Sequence, residues 1–327
     1  MPEESLVRSL TATDSLFPGR VALGCANLGN LMAPMDDATA HSLLQAAWDG
    51  GVRAFDTAPH YGLGLSERRL GAFLADRPRE AFTVSTKVGR LLVPDPEGEG
   101  LDLANDFHVP ADHRRVWDLS ADGIRRSVED SLERLGLDRI DVALLHDPER
   151  HDLEQGVREA LPALVALREE GLVSAVGVGS MDAEALLACA RTGALDLMMA
   201  AGRFSLLDQS VVPETLAECR RHGTQVLAAS VFNSGVLARE DGDGLFDYAP
   251  APAAVRERVA TLREVCRRHG VPLPTAALHY PLTEPLVAAV VVAGATGAQV
   301  SENLDRLDTP VPQALWDDLR ALGLHLP

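Results

Sequence analysis

Eight short apolar or β-branched runs recur along this chain, at residues 21–25, 53–56, 82–87, 140–146, 173–178, 195–199, 225–230 and 287–292, and stretches of helical apolar spacing alternate with them. Short β-rich runs read as strands, whereas apolar recurrence at three and four residues reads as an amphipathic helix. The helical stretches include 38–49, 66–75, 121–135, 161–170, 183–191 and 213–222. Gly50, Gly136, Gly171, Gly193 and Gly223 stand where those helices should stop, since glycine tolerates the backbone of a helix C-terminus. A strand–helix unit repeated eight times favours closure into a parallel barrel, with helices covering its outside. The expected fold class is therefore α/β, a (β/α)8 TIM barrel. An open doubly wound sheet would carry G-x-G-x-x-G after its first strand; that place holds Gly24, Cys25, Ala26 and Asn27.

A barrel with enlarged loops on its C-terminal face accommodates 327 residues as one domain. Residues 1–19 are expected to form an extension ahead of it. Three longer connections, 89–119, 233–252 and the tail after Asn303, break the regular spacing and read as functional loops. A net charge of −18 argues against nucleic-acid or anionic-membrane partners, because like charges repel. Cys25, Cys189, Cys219 and Cys266 are scattered, with neither C-x-x-C nor a His/Cys metal spacing. They read as buried thiols in a reducing compartment, with no metal site. Residues 1–15 lack the apolar core of a signal peptide, and the run around 286–295 is too short to span a bilayer. A cytoplasmic location is the expectation.

A barrel gathers its chemistry at the C-terminal ends of its strands. Asp56 and Tyr61 in FDTAPHYG, Lys87 in VSTKVG and His146 in LLHDP lie at or just beyond three such ends. A phenol is barely ionised at neutral pH, so a catalytic tyrosine needs a nearby cation to favour its phenolate. Lys87 can supply that cation, Asp56 can hold the ammonium, and His146 can orient the substrate oxygen beside Tyr61. Lys87 is also the only lysine of the chain, among 30 cationic residues. A compact ammonium can occupy a buried pocket that a forked guanidinium would not fit. Taken singly, each residue has a plainer reading: a turn cap for Asp56, surface packing for Tyr61, a turn residue for His146, an ion pair for Lys87. Their joint placement favours chemistry. His60 is expected to form part of the pocket wall.

These segments, together with GLSERRLG after HYG, resemble the aldo-keto reductases from about Arg20 to the C-terminus. The resemblance implies a catalytic tetrad of Asp56, Tyr61, Lys87 and His146. FDTAPHYGLGLSERRLG, STKVGRLLVPDP, RRVWDLSADG, LERLGLDRIDVALLHDP and VFNSGVLA are similar to the aldose 1-dehydrogenase branch, which includes L-fucose, D-threo-aldose and L-galactose dehydrogenases. It implies oxidation of an aldopyranose at its anomeric carbon to a lactone, with Tyr61 taking the hydroxyl proton and hydride passing to a nicotinamide. By the same resemblance Ser230, Val231, Phe232 and Gly235 cover the cofactor pyrophosphate. Gly294, Ala295, Thr296, Gln299 and Asn303 bind the adenosine end. Ser180 stands where many relatives place Asn against the carboxamide, and Ala201 and Ala229 stand where many have Gln and a stacking Tyr.

A 2′-phosphate is normally gripped by Arg or Lys, and residues 294–303 contain neither. NAD is therefore the expected cofactor, with NADP left open because Arg306 lies near. Substrate choice is expected in His60, Leu92, Trp117, Tyr248 and Phe232, where aromatic walls would stack a sugar ring. Two other functions fit a barrel of this kind: a carbonyl reductase or dehydrogenase acting on a non-sugar aldehyde or ketone in vitamin or specialised metabolism, and a nonenzymatic nucleotide-binding subunit. The sequence leaves the particular sugar and the oligomeric state open.

Overall fold

The computed structural model describes residues 16–239 and 244–326. The strands are β1 (Val21–Gly24), β2 (Ala54–Asp56), β3 (Thr83–Val88), β4 (Arg90–Pro94), β5 (His113–Trp117), β6 (Ile140–His146), β7 (Val173–Ser180), β8 (Leu197–Ala201), β9 (Gln225–Ala229), β10 (Leu245–Phe246), β11 (Ala249–Pro250) and β12 (Val287–Val292). Eight of them close into a barrel in the order β1-β12-β9-β8-β7-β6-β3-β2, and each neighbouring pair is parallel. The eight strands correspond one to one with the expected runs. The largest shift is at β8, which begins two residues later than expected and runs on to Ala201. Asp196 is what delays it: its carboxylate accepts the Val176 N–H at 2.9 Å and meets Arg168 at 2.5 Å.

Period-2 alternation separates two buried layers. Ala22, Ala54, Val142, Leu144, Leu197, Met199, Leu227 and Val291 pack together inside the barrel. Their chain neighbours Leu23, Phe55, Ala143, Leu145, Met198, Val226 and Val290 belong to the larger core beneath the helices. Phe17, 4% exposed, joins the inner layer with Leu16 and closes the barrel's N-terminal end. Of the extension expected over 1–19, residues 1–15 lie outside the described residues.

The helices start where side chains cap them. Asp36 accepts from the Thr39 N–H ahead of helix Asp37–Asp49, Ser120 from Gly123 ahead of Ala121–Leu135, and Asp182 from Ala185 ahead of Ala183–Ala190. Gly136 and Gly223 end their helices in the left-handed conformation. Among the described residues no helix is long and apolar enough to cross a membrane.

The long connections hold more structure than loops. Residues 89–119 contain the antiparallel hairpin β4–β5, with Arg90 opposite Trp117. Within 233–252, β10 and β11 form a second small hairpin, while residues 240–243 lie outside the described ones. The tail expected to be a loop after Asn303 instead completes helix Gly297–Asp308 and adds Gln313–Ala321, which buries Leu315, Trp316 and Leu319. Apolar spacing at three and four residues continues through it and supplies a buried face. Helices Ala253–Arg268 and Leu273–His279 were not anticipated either.

Candidate active site

β2 and β3 run side by side with Asp56 in register with Ser85. Alternation along β3 sends Ser85 and Lys87 to one face and Thr86 to the other. On the outer side Thr86 donates to Glu67 at 2.7 Å, and Glu67 is paired with Arg134 at 2.5 Å, which ties the strand to helices Leu65–Leu74 and Ala121–Leu135. On the inner side Lys87, 2% exposed, donates to Asp56 Oδ2 at 2.7 Å and to the Thr57 carbonyl at 3.0 Å. Ser85 donates to the other Asp56 oxygen at 2.6 Å. Burial disfavours the Lys87 ammonium, but the Asp56 charge and the Tyr61 oxygen outweigh it and hold the group above the ordinary lysine range. Ser85 was missed at the sequence level. Its position two residues before Lys87, hence on the same strand face, was the available signal.

Tyr61 comes from the loop after β2, and a close backbone crossing places it. Gly62 has φ +61°, and a Cβ there would lie 2.2 Å from the Gly29 carbonyl oxygen. The loops after β1 and β2 are therefore in direct backbone contact. The Lys87 Nζ lies 5.0 Å from the centre of the Tyr61 ring. His146 ends β6, with its ring 6.2 Å from that of Tyr61 and 5.7 Å from that of His60. The four expected catalytic side chains and His60 thus line one cavity of about 1360 Å³ at the C-terminal end of the barrel.

Burial dominates the electrostatics. It pushes the Tyr61 phenol up to about 12, against the opposing pull of Lys87. The cation acts in the expected direction and loses to desolvation, so Tyr61 rests as a neutral phenol at neutral pH. Burial, reinforced by Arg90 and Lys87, holds His146 well below the usual imidazole range. Burial and Arg115 push His60 down to about 2. Both rings are neutral, and the His60 Nδ1 is buried without a partner.

The other expected residues divide. Ser180, Ser230, Val231, Phe232, Gly235, Gly294, Ala295, Gln299, Trp117 and Tyr248 line the same cavity. Ser230 has φ +52°, Asn233 +45° and Ser234 +61°, a run of left-handed residues that bends the chain tightly over the cavity. The Ser180 hydroxyl donates to Glu149 at 2.8 Å and accepts the Asp182 N–H at 2.8 Å, which leaves it only acceptor capacity. Ala201 and Ala229 leave the floor open beside it.

Thr296, Asn303 and Leu92 do not line the cavity. The Thr296 hydroxyl caps helix Gly297–Asp308 by accepting from the Gln299 N–H at 3.3 Å, and the residue faces an outer depression beside Asp36 and Ser42. Asn303 donates to the Ala293 carbonyl at 3.1 Å and accepts from Arg306 at 3.1 Å, so it holds the strand exit from behind. Leu92 packs with Leu63, Phe107 and Val109 under the hairpin. Trp117 was expected to stack on substrate, but the Arg90 guanidinium lies 4.4 Å from its centroid and His151 stacks parallel to it at 5.4 Å. Arg90 and Asp147, a buried ion pair at 2.5 Å on the cavity wall, were also missed. They are 57 residues apart, and only Asp147's position beside His146 hinted at it.

The profile of the Aldo/keto reductase family matches residues 20–323. A D-threo-aldose 1-dehydrogenase from a Pseudomonas species is 51% identical over 300 residues, covering 90% of this chain and 91% of that protein. A pyridoxal 4-dehydrogenase from Microbacterium luteolum is 36% identical over 321 residues, covering 93% and 94%. Among solved structures, an aldo-keto reductase from Bacillus halodurans in its holo form superimposes with a TM-score of 0.69 at 23% identity, covering 93% of this chain and 91% of that one.

Proposed function

We propose, from the premise that this chain belongs to the aldo/keto reductase family and is an NAD(P)-dependent oxidoreductase, that it oxidises the anomeric carbon of an aldopyranose of the L-fucose, D-arabinose or L-galactose type to a lactone. The observation that carries this is the Asp56–Lys87–Tyr61–His146 cluster at one end of an elongated cavity, in a chain 51% identical to a D-threo-aldose 1-dehydrogenase.

The cavity fits a dinucleotide together with a sugar. At about 1360 Å³ it exceeds the roughly 300–1,000 Å³ of a typical small-ligand pocket. It extends from Tyr61 past the bent segment 230–235 to Ala295 and Gln299. Ala201 and Ala229 leave space that larger side chains would fill. Ser180 would meet the carboxamide, the segment 230–235 the pyrophosphate, and Ala295 with Gln299 the adenosine end. A bound nicotinamide would supply the acceptor for the hydride leaving C1. We favour NAD, because residues 294–303 hold no cation and Arg306, the next one along the chain, already bonds Glu302 at 2.7 Å and Asn303 at 3.1 Å.

The remaining steps belong to the protein. His146, kept neutral by burial and by Arg90 and Lys87, orients the anomeric oxygen beside Tyr61. Lys87 stabilises the ionised, phenolate form of Tyr61, and that Oη takes the hydroxyl proton as C1 is oxidised. Asp56, with both oxygens bonded, keeps the ammonium in place. In reduction Tyr61 donates its proton instead. We place the enzyme in the cytoplasm, supported by four cysteines that are all buried and form no disulfide.

Oxidation or reduction of a non-sugar aldehyde or ketone is the second reading, favoured by the pyridoxal 4-dehydrogenase relative. Initial rates of nicotinamide reduction with L-fucose, D-arabinose and L-galactose, each with NAD and with NADP, separate the two. Turnover with NAD and one sugar is expected. Silence with all three, alongside turnover of pyridoxal, would transfer the function to the second reading.

A further inference from the structure

Beyond Arg90's part in keeping His146 neutral, the Arg90–Asp147 pair has no role in the tetrad or at the nucleotide end of the cavity. Arg90 is 6% exposed and Asp147 8%, yet both line the cavity beside His146. Their salt bridge, Nη2 to Oδ2, is 2.5 Å long. Desolvating two charges costs several kcal/mol per ion and is seldom recovered by the pair alone, so such a pair in a reaction cavity calls for a role. The Arg90 Nε is buried without a partner. The guanidinium is braced over Trp117, its cross-strand neighbour in the β4–β5 hairpin. Asp147 sits on a left-handed backbone, φ +42°, a conformation uncommon outside glycine and retained where the surroundings impose it.

The distances indicate what the pair meets. Asp147 Oδ2 lies 3.6 Å from His146 Nε2, the group that would hold the reacting oxygen. On a sugar ring, oxygens on adjacent carbons are about one hydrogen-bond length apart. A substrate whose O1 is bonded to His146 therefore brings its O2 to Asp147 and Arg90. A hydroxyl both donates and accepts, and Asp147, held by the Arg90 guanidinium at 2.5 Å and with the more exposed Arg150 Nε at 3.6 Å, offers an acceptor beside donors.

We propose that Arg90 and Asp147 read the hydroxyl on the carbon next to the reacting one, so that the enzyme selects 2-hydroxy lactols and 2-hydroxy aldehydes over their 2-deoxy counterparts. This rests on the aldose reading of the same site. They are specificity residues: a substrate lacking that hydroxyl leaves a buried charged pair facing an apolar carbon, and sites built to bond a hydroxyl reject analogues without it by large factors.

D-arabinose and 2-deoxy-D-ribose differ only at that hydroxyl, so their kcat/KM ratio is the test. The wild type should favour D-arabinose by on the order of 10³-fold or more. The double variant Arg90→Gln with Asp147→Asn, which removes both charges and leaves neither stranded, should bring the ratio to within about tenfold of unity. A merely structural pair would lower both rates and leave the ratio unchanged, which overturns the proposal. A wild-type ratio near one overturns it without any variant. Should the wild type oxidise L-fucose or L-galactose but not D-arabinose, that sugar and its 2-deoxy counterpart replace the two test sugars. Should it oxidise none of D-arabinose, L-fucose and L-galactose, the aldose reading fails by itself. The pair is then judged by NADH-dependent reduction of glycolaldehyde against acetaldehyde, where a comparable preference supports it and equal rates overturn it.

Discussion

At the scale of single residues, the outcome turns on desolvation against charge. Tyr61 has a cation within reach and still titrates at about 12, because its burial outweighs Lys87. As the proposed base in oxidation, Tyr61 must be ionised, and below its pKa the phenolate fraction grows tenfold per pH unit. We expect kcat/KM for aldose oxidation to climb between about pH 7 and pH 10 with no plateau, while reduction, which needs the phenol, stays flat. No inflection should appear near the usual imidazole range, because His60 and His146 are held far below it. A plateau in oxidation near neutrality would mean that Lys87 prevails over burial. Lys87→Arg should lower turnover by about 10²-fold or more with the circular dichroism spectrum retained, since the larger fork cannot occupy a site 2% exposed between Asp56 and the Thr57 carbonyl. Wild-type rates in that variant would remove Lys87 from the reaction. The four polar strand-end residues were legible because strand ends are legible. Ser85, Arg90 and Asp147 were not read, since what marks them is a partner in space.

At the scale of elements, loops hold the site by backbone contact as much as by side chains. The Gly29–Gly62 crossing fixes the approach of Tyr61, and Gly62→Ala would place a methyl 2.2 Å from the Gly29 carbonyl oxygen on a backbone with φ +61°. A destabilisation of about 1–3 kcal/mol is expected, together with a drop in kcat larger than the change in nucleotide affinity measured by fluorescence titration. The segments at 230–235 and 294–299 do not take part in that crossing. Equal losses in kcat and affinity would show that the crossing supports the whole cavity. Elements of strong periodicity were read to within about two residues. The β4–β5 hairpin was read as a loop, because breakers in VPDPEGEG hide the pairing of Arg90 through Pro94 with His113 through Trp117. Thr296 and Asn303 were read as cofactor contacts from the resemblance of their segment, which did not show that one caps a helix and the other braces the Ala293 carbonyl.

At the scale of the whole molecule, the barrel separates stability from chemistry along its axis. The proposed catalytic groups occupy the C-terminal end, and Phe17 fills the other. Phe17→Ala should cost about 3–5 kcal/mol, as for other large-to-small core replacements, and lower the denaturant midpoint while leaving kcat close to wild type. An unchanged midpoint would mean that the floor is held without it. The alternation of strands and helices determined the eight-stranded closure, and with it the mouth at which Asp56, Tyr61, Lys87 and His146 would gather. That much follows from local sequence, because dihedral preference and side-chain period are properties of neighbouring residues. The pairing of Arg90 with Asp147, the engagement of Trp117 by Arg90 and His151, the commitment of Arg306 to Glu302 and Asn303, and the neutral state of Tyr61 were decided only in three dimensions. Each depends on distances and on lost water between groups brought together from separate stretches of the chain, and desolvation has no signature in the order of the residues.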